Sequence, residues 1–180
     1  FALVSCRAAY LKAHHPAEFM AAVLTNEGGF YDPCAYIEEA RRIGIEILPP
    51  HINQSRYEFF AEQSDAIRIG LMQVRGLSRS TIEQITKTRQ EGMFKSVHDF
   101  LMRVAADLSE TETLIHCGAL DGLGPSRPSM FVEALLWHRR SPSSRERSQT
   151  LLPLNIEHQY QIPKFSDPTN TDKLLAEIDT

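Results

Sequence analysis

The chain has 180 residues, 42% of them hydrophobic and 23% charged, with a formal net charge of −4 and an isoelectric point near 6.0. That composition supports one or two modest cores. It excludes a basic surface over the whole chain, so any contact with nucleic acid has to be local.

Phe1–Ala13 has helical periodicity, with Ala2, Leu3, Cys6, Ala9, Tyr10 and Ala13 on one face. It opens in mid-pattern, without an initiator Met or a signal-peptide layout, which reads as a fragment cut from a larger protein. No apolar run approaches the ~20 residues of a membrane span. Pro16–Asn26 is a second helix with Pro in its first turn, ended by Gly28-Gly29. Asp32-Pro33 opens a third helix that Gly44 closes. Ile45–Leu48 is a short β-branched run stopped by Pro49-Pro50. Tyr57–Ala61 and Ala66–Ile69 form a small β-hairpin.

Gly70–Gly92 is the most informative stretch. It reads as a short helix, a tight turn at Arg75-Gly76-Leu77-Ser78, and a second helix through Arg89. Gly76 can take positive φ and bring the backbone close to a ligand. Ser78, Arg79, Ser80 and Thr81 suit a first turn, whose amides lack intrahelical partners. Free amides beside an Arg make a phosphate site. Leu71, Val74, Leu77, Ile82 and Ile85 would pack the two helices together. This is the pattern of a helix-hairpin-helix, which grips nucleic-acid backbone without reading sequence; an ordinary helical hairpin with a Gly turn is the plainer alternative. The usual turn carries two glycines, and Ser78 stands where the second would be. Charge supports the pattern: from Arg68 to Arg103 there are seven Lys/Arg against three Asp/Glu, whereas from Phe1 to Ala66 there are five against nine.

Ser96–Val104 is the next helix. Ser109 with Glu112 three residues on has capping-box spacing for another, running to Cys117-Gly118. A Gly-rich turn through Gly124 and a helix from about Ser126 to Arg139 complete a second, less basic helix-turn-helix unit. Arg140–Arg147 reads as a linker, with an apolar island at Gln149–Leu154, and a last helix begins near Asn170. The expected fold is mainly α with a small β-hairpin.

No catalytic constellation emerges. Cys6, Cys34 and Cys117 are odd in number and have no Cys-x-x-Cys spacing, so they read as reduced thiols without zinc. Glu38-Glu39 are adjacent on a surface helix and point apart. Asp121 sits in a turn, where backbone capping explains it. His14-His15 fit a helix end; Lys12 could reach a phosphate from the face of the first helix, but reads more simply as an exposed lysine.

FALVSCRAAYLKAHHPAEFMAAVLTN, EEARRIGIEILPPHINQS, IRIGLMQVRGL, FKSVHDFLMRV and LIHCGALDGLG, at residues 1–26, 38–55, 67–77, 94–104 and 114–124, resemble the bacterial replicative DNA polymerase III α family. Cys6 and His15 replace tyrosines usual there. The resemblance implies that residues 1–55 are the end of the polymerase fingers, 56–140 a tandem helix-hairpin-helix module that holds primer-template duplex, and 141–180 a linker and the start of the next domain. The DNA-contacting residues would be Arg75, Gly76, Leu77, Ser78, Arg79, Ser80 and Lys87, with Gly118 and Ala119 as a weaker second contact. The palm carboxylates and their Mg2+ would lie upstream, leaving this segment inactive alone, cofactor-free and part of a cytoplasmic nucleotidyltransferase. The family also docks on a sliding clamp and other holoenzyme subunits through a linker peptide. Gln149, Leu151, Leu152 and Leu154 sit in the matching place, with Leu154 where the family has Phe. A docking segment with merely structural hairpins is the competing reading; a stand-alone nuclease or lyase would need a carboxylate cluster or reactive Lys that is not seen.

Overall fold

In the computed structural model the described residues are 1–26 and 31–140. They fall into two compact units that divide after Gln73. The first contains α1 (Ala2–His14), α2 (Pro16–Thr25), α3 (Pro33–Arg42), β1 (Glu46–Leu48), β2 (Phe60–Gln63), β3 (Ala66–Arg68) and a 3-10 turn at Leu71–Gln73. The second contains α4 (Arg79–Thr88), a 3-10 turn at Arg89–Glu91, α5 (Val97–Arg103), α6 (Leu108–His116) and α7 (Arg127–Arg140).

The core of the first unit follows from α2. Ala17, Met20, Ala21 and Leu24 are buried at helical spacing. Ala17, Met20 and Ala21 pack with Ala40, Ile45 and Ile67, and Phe59 and Tyr36 edge the cluster. The Asp32 side chain accepts the Cys34 amide at 2.9 Å and starts α3 beside Pro33. The expected hairpin forms, with β2 antiparallel to β3, but its first strand starts at Phe60 and runs through Gln63 instead of covering Tyr57–Ala61. It gains a third strand, β1, which pairs in parallel with β3 to give the order β1-β3-β2. Central β3 is buried at every position. Its Arg68 is paired with Glu62 and donates to the Pro49 carbonyl at 2.9 Å, which satisfies a guanidinium that could not otherwise be buried. Because these strands join α2 and α3, the division after Gln73 falls later in the chain than a boundary at residue 55.

In the second unit Ile82 and Ile85 of α4, Phe100 and Leu101 of α5, Leu114 and Ile115 of α6, and Met130 and Ala134 of α7 are buried. Arg103 stitches the loop before α5: its guanidinium lies 4.8 Å from the Phe94 ring centre and donates to the carbonyls of Thr88 and Gly92 at 2.7 and 2.9 Å. Two details depart from the sequence reading. The capping box belongs to Asp107 and Glu110, not to Ser109 and Glu112, because the Asp107 carboxylate accepts the Glu110 amide at 2.7 Å and Glu110 returns the bond to the Asp107 amide at 3.1 Å. The short helix before Gly76 is a single 3-10 turn.

Candidate nucleic-acid interface

The turn that precedes α4 is closed by one backbone bond, from the Leu77 amide to the Val74 carbonyl at 3.3 Å. Its third residue, Gly76, has φ +76°, as a type II turn requires. A Cβ placed there would meet nothing nearer than Thr113 Oγ1 at 3.9 Å. Glycine is therefore required by backbone conformation, and the outer face of the turn is open. Ser78 has φ −71° and ψ 148°, ordinary extended backbone. No second glycine is needed at that position. The serine instead caps α4, accepting the Thr81 amide at 3.3 Å.

The side chains in and after the turn divide into two sets. Arg75, Gly76, Ser78, Arg79, Ser80 and Lys87 are exposed, and Leu77 is half-buried. Thr81, Ile82 and Ile85 are buried. Ser80 occupies the second helical position, so its amide has no intrahelical acceptor. Arg79 bonds Glu83 at 2.8 Å one turn along α4, an exposed pair that costs little to open. Lys87 lies eight residues beyond Arg79, about 12 Å along the axis, so it acts on the turn only at long range.

Besides the Thr81 amide capped by Ser78, a second amide expected to face outward does not. The Ser78 N–H donates to Glu110 Oε1 at 2.9 Å, and the Thr81 hydroxyl donates to Glu110 Oε2 at 2.9 Å. Glu110 comes from the first turn of α6 and is itself 7% exposed. Burial pushes its carboxyl up, but the bonds from Ser78, Asp107 and Thr81 outweigh burial and hold it below the ordinary glutamate value.

The second hairpin differs sharply. Gly118 has φ +77°, but its amide donates to the Ile115 carbonyl at 3.1 Å and Ala119 is fully buried. The Arg127 guanidinium lies over the turn, where a Cβ on Gly118 would come within 2.5 Å of Nη2. Arg127 grips Asp121 through Nε and Nη2 at 3.0 and 2.8 Å and donates to the His116 carbonyl at 3.1 Å. Asp121, expected to cap backbone, is thus half of a bidentate ion pair. Gly118 and Ala119 are brought together in the turn, but the Gly118 amide and carbonyl are both bonded within it and Ala119 is buried.

The two other acidic residues singled out in the sequence are paired. Glu38 bonds Arg41, and Glu39 bonds both Arg42 and Lys12. Among the described residues no three His, Cys, Asp or Glu side chains converge as a metal-binding group. Lys12 is exposed, as expected, and lies 3.0 Å from Glu39 Oε1. Gln149, Leu151, Leu152 and Leu154 lie outside the described residues. Glu110 and Arg127 are the two organising side chains the sequence reading passed over. Asp107-x-x-Glu110 was the available signal for the first; Arg127 carries none.

A family model described as a helix-hairpin-helix motif matches residues 44–130. The DNA polymerase III subunit alpha of Xylella fastidiosa (strain Temecula1) is 41% identical over 138 residues, 74% of this chain and 12% of its own length. These residues belong to the DNA polymerase III α-subunit family. The subunit alpha of Vibrio cholerae is 34% identical over 93% of this chain and 16% of its own length. An error-prone DNA polymerase of Methylococcus capsulatus is 34% identical over 74% of this chain and 15% of its own length. The chain thus spans less than a fifth of the polymerase III relatives it matches, and the open turn at Gly76 and the closed turn at Gly118 both fall inside the matched motif.

Proposed function

We propose that this segment holds duplex DNA by its phosphate backbone, as one part of a cytoplasmic DNA-directed DNA polymerase that works in replication. The observation that carries the reading is the asymmetry of the two hairpins. The first turn is open and has exposed Arg75, Arg79 and Ser80 around a positive-φ glycine; the second is sealed by Arg127. A phosphate oxygen at the first turn would meet the start of α4, the Ser80 amide and hydroxyl, and the Arg79 guanidinium once it leaves Glu83. Arg75 and Lys87 would add attraction at longer range. The exposed groups at the turn, two arginines and a serine beside the helix-start amides, suit phosphate rather than base edges, so binding would be indifferent to sequence.

The nucleotidyl transfer itself would belong to other parts of the polymerase. Among the described residues no three carboxylates, histidines or cysteines converge to hold a Mg2+ ion, and buried Glu110 already accepts three donors. Primer extension by this chain alone should give no product. Docking on a sliding clamp through Gln149, Leu151, Leu152 and Leu154 is the companion proposal. The Vibrio cholerae similarity, covering 93% of this chain, extends beyond residue 140 into that stretch.

Fluorescence anisotropy with a short duplex at several salt concentrations tests the grip. We expect weak binding that falls with salt at a log–log slope of about −0.9 per phosphate contacted, and its loss in Arg79→Glu. Absence of binding even at low salt would overturn the reading.

A further inference from the structure

We infer that Glu110 is the positioning residue of the first hairpin: its carboxylate locks the start of α4 to the start of α6, so that the open turn at Gly76 is preset to receive a phosphate. The inference rests on the phosphate-grip reading above. Its basis is one side chain serving two helix starts at once. Oε1 takes the Ser78 amide, and Oε2 takes both the Thr81 hydroxyl and the Asp107 amide. Ser78 and Thr81 lie on α4's side and Asp107 on α6's side, 29 residues or more from their partners across the pair in sequence. A Cβ on Gly76 would lie 3.9 Å from Thr113 Oγ1 of the same α6.

The chemistry explains why a carboxylate is needed. Three donors converge on two oxygens, and only an ionised carboxyl offers acceptors alone. A glutamine would place an NH2 against at least one of these donors. The charge also has a second effect, since it sits at the positive end of α4 where a DNA phosphate would come. A buried anion there could repel the phosphate. The two effects have opposite signs on affinity, and this makes the role decidable. A positioning residue lowers affinity when neutralised; a competing anion raises it.

The experiment uses the whole chain with Glu110→Gln and, as a milder change, Thr81→Val, which removes one of the three bonds and keeps the side-chain shape. Amide hydrogen exchange is measured without DNA, and duplex affinity by anisotropy across salt. We expect the Ser78 and Thr81 amides of Glu110→Gln to exchange about tenfold faster while Phe100 and Leu114 are unchanged. Duplex affinity should fall several-fold with the salt slope kept, because the same phosphates are met less often in the right geometry. Thr81→Val should shift both readouts in the same direction by less, and it decides the matter if Glu110→Gln does not fold. Tighter DNA binding by either variant, or unchanged exchange at Ser78, would overturn the inference. Should the unaltered chain fail to bind duplex, the grip reading falls, and the exchange data still decide whether Glu110 holds the turn.

Discussion

A Cβ on Gly70 would lie 2.4 Å from the carbonyl carbon of Glu58 and 2.6 Å from the Tyr57 oxygen. Both are backbone atoms, held by the bonds from the Leu71 and Met72 amides to the Arg56 and Tyr57 carbonyls at 2.9 and 3.0 Å. Neither can swing aside, so Gly70→Ala should cost about 2–3 kcal/mol, at the upper end of overpacking effects. At Gly76 the space is open and the conformation is the constraint. Gly76→Ala should cost about 1–2 kcal/mol, and Gly76→Asn clearly less, because asparagine tolerates left-handed backbone. Urea unfolding of the three variants checks this. Equal losses for Ala and Asn at position 76 would mean that the turn does not hold positive φ in solution.

Helices with a clean apolar period and a Pro or Gly boundary were legible in the chain: α2, α3, α4 and α5 start where Pro16, Asp32-Pro33, Ser78 and Ser96 place them. What could not be read was pairing across distance. β1 is three residues long, and its parallel partner lies twenty residues away, a contact no local pattern encodes. Two residues with the same capping spacing competed at α6, and the carboxylate of Asp107 prevailed over the hydroxyl of Ser109. The site was legible as a turn and misread in its bonds, since the acceptor for the Ser78 amide comes from 32 residues downstream. The tie between α1 and α3 is another such contact, and it yields a pH prediction. Arg42 first, and Lys12 second, lower the Glu39 carboxyl to about 2. Its folded value is depressed, so the tie is at full strength above the ordinary carboxylate range and is lost as pH falls from about 4.5 through about 2. NMR titration of the Glu39 side-chain carboxyl should show a midpoint near 2, moved upward in Lys12→Ala. A midpoint in the ordinary range would mean that the Lys12–Glu39–Arg42 cluster is open in solution.

Among the described residues, α1 carries an apolar stripe that stays exposed. No residue of α1 is buried. Leu3, Val4, Tyr10 and Leu11 are 65%, 69%, 59% and 47% exposed, against 0–4% for Ala17, Met20, Ala21 and Leu24 of α2. Their spacing, three and four then ten and eleven, returns each pair to the same side of the helix after two turns. A helix of this length is marginal on its own in water, and four large apolar side chains on one side form a patch of the kind that marks a contact surface. Burial of such a patch releases water without discharging ions, so the association it drives does not weaken with salt. We therefore expect the isolated chain to self-associate through α1 as its concentration rises. Sedimentation velocity should show a sedimentation coefficient that increases with concentration and persists at high salt, and that returns to the monomer value in Leu3→Glu/Leu11→Glu. The same variant should bind duplex as the unaltered chain does, because α1 is outside the hairpin unit. A monomer at every concentration would show that the stripe is too small, or α1 too frayed, to act as a surface. Salt-sensitive association would instead point to the opposed charges of residues 1–66 and 68–103.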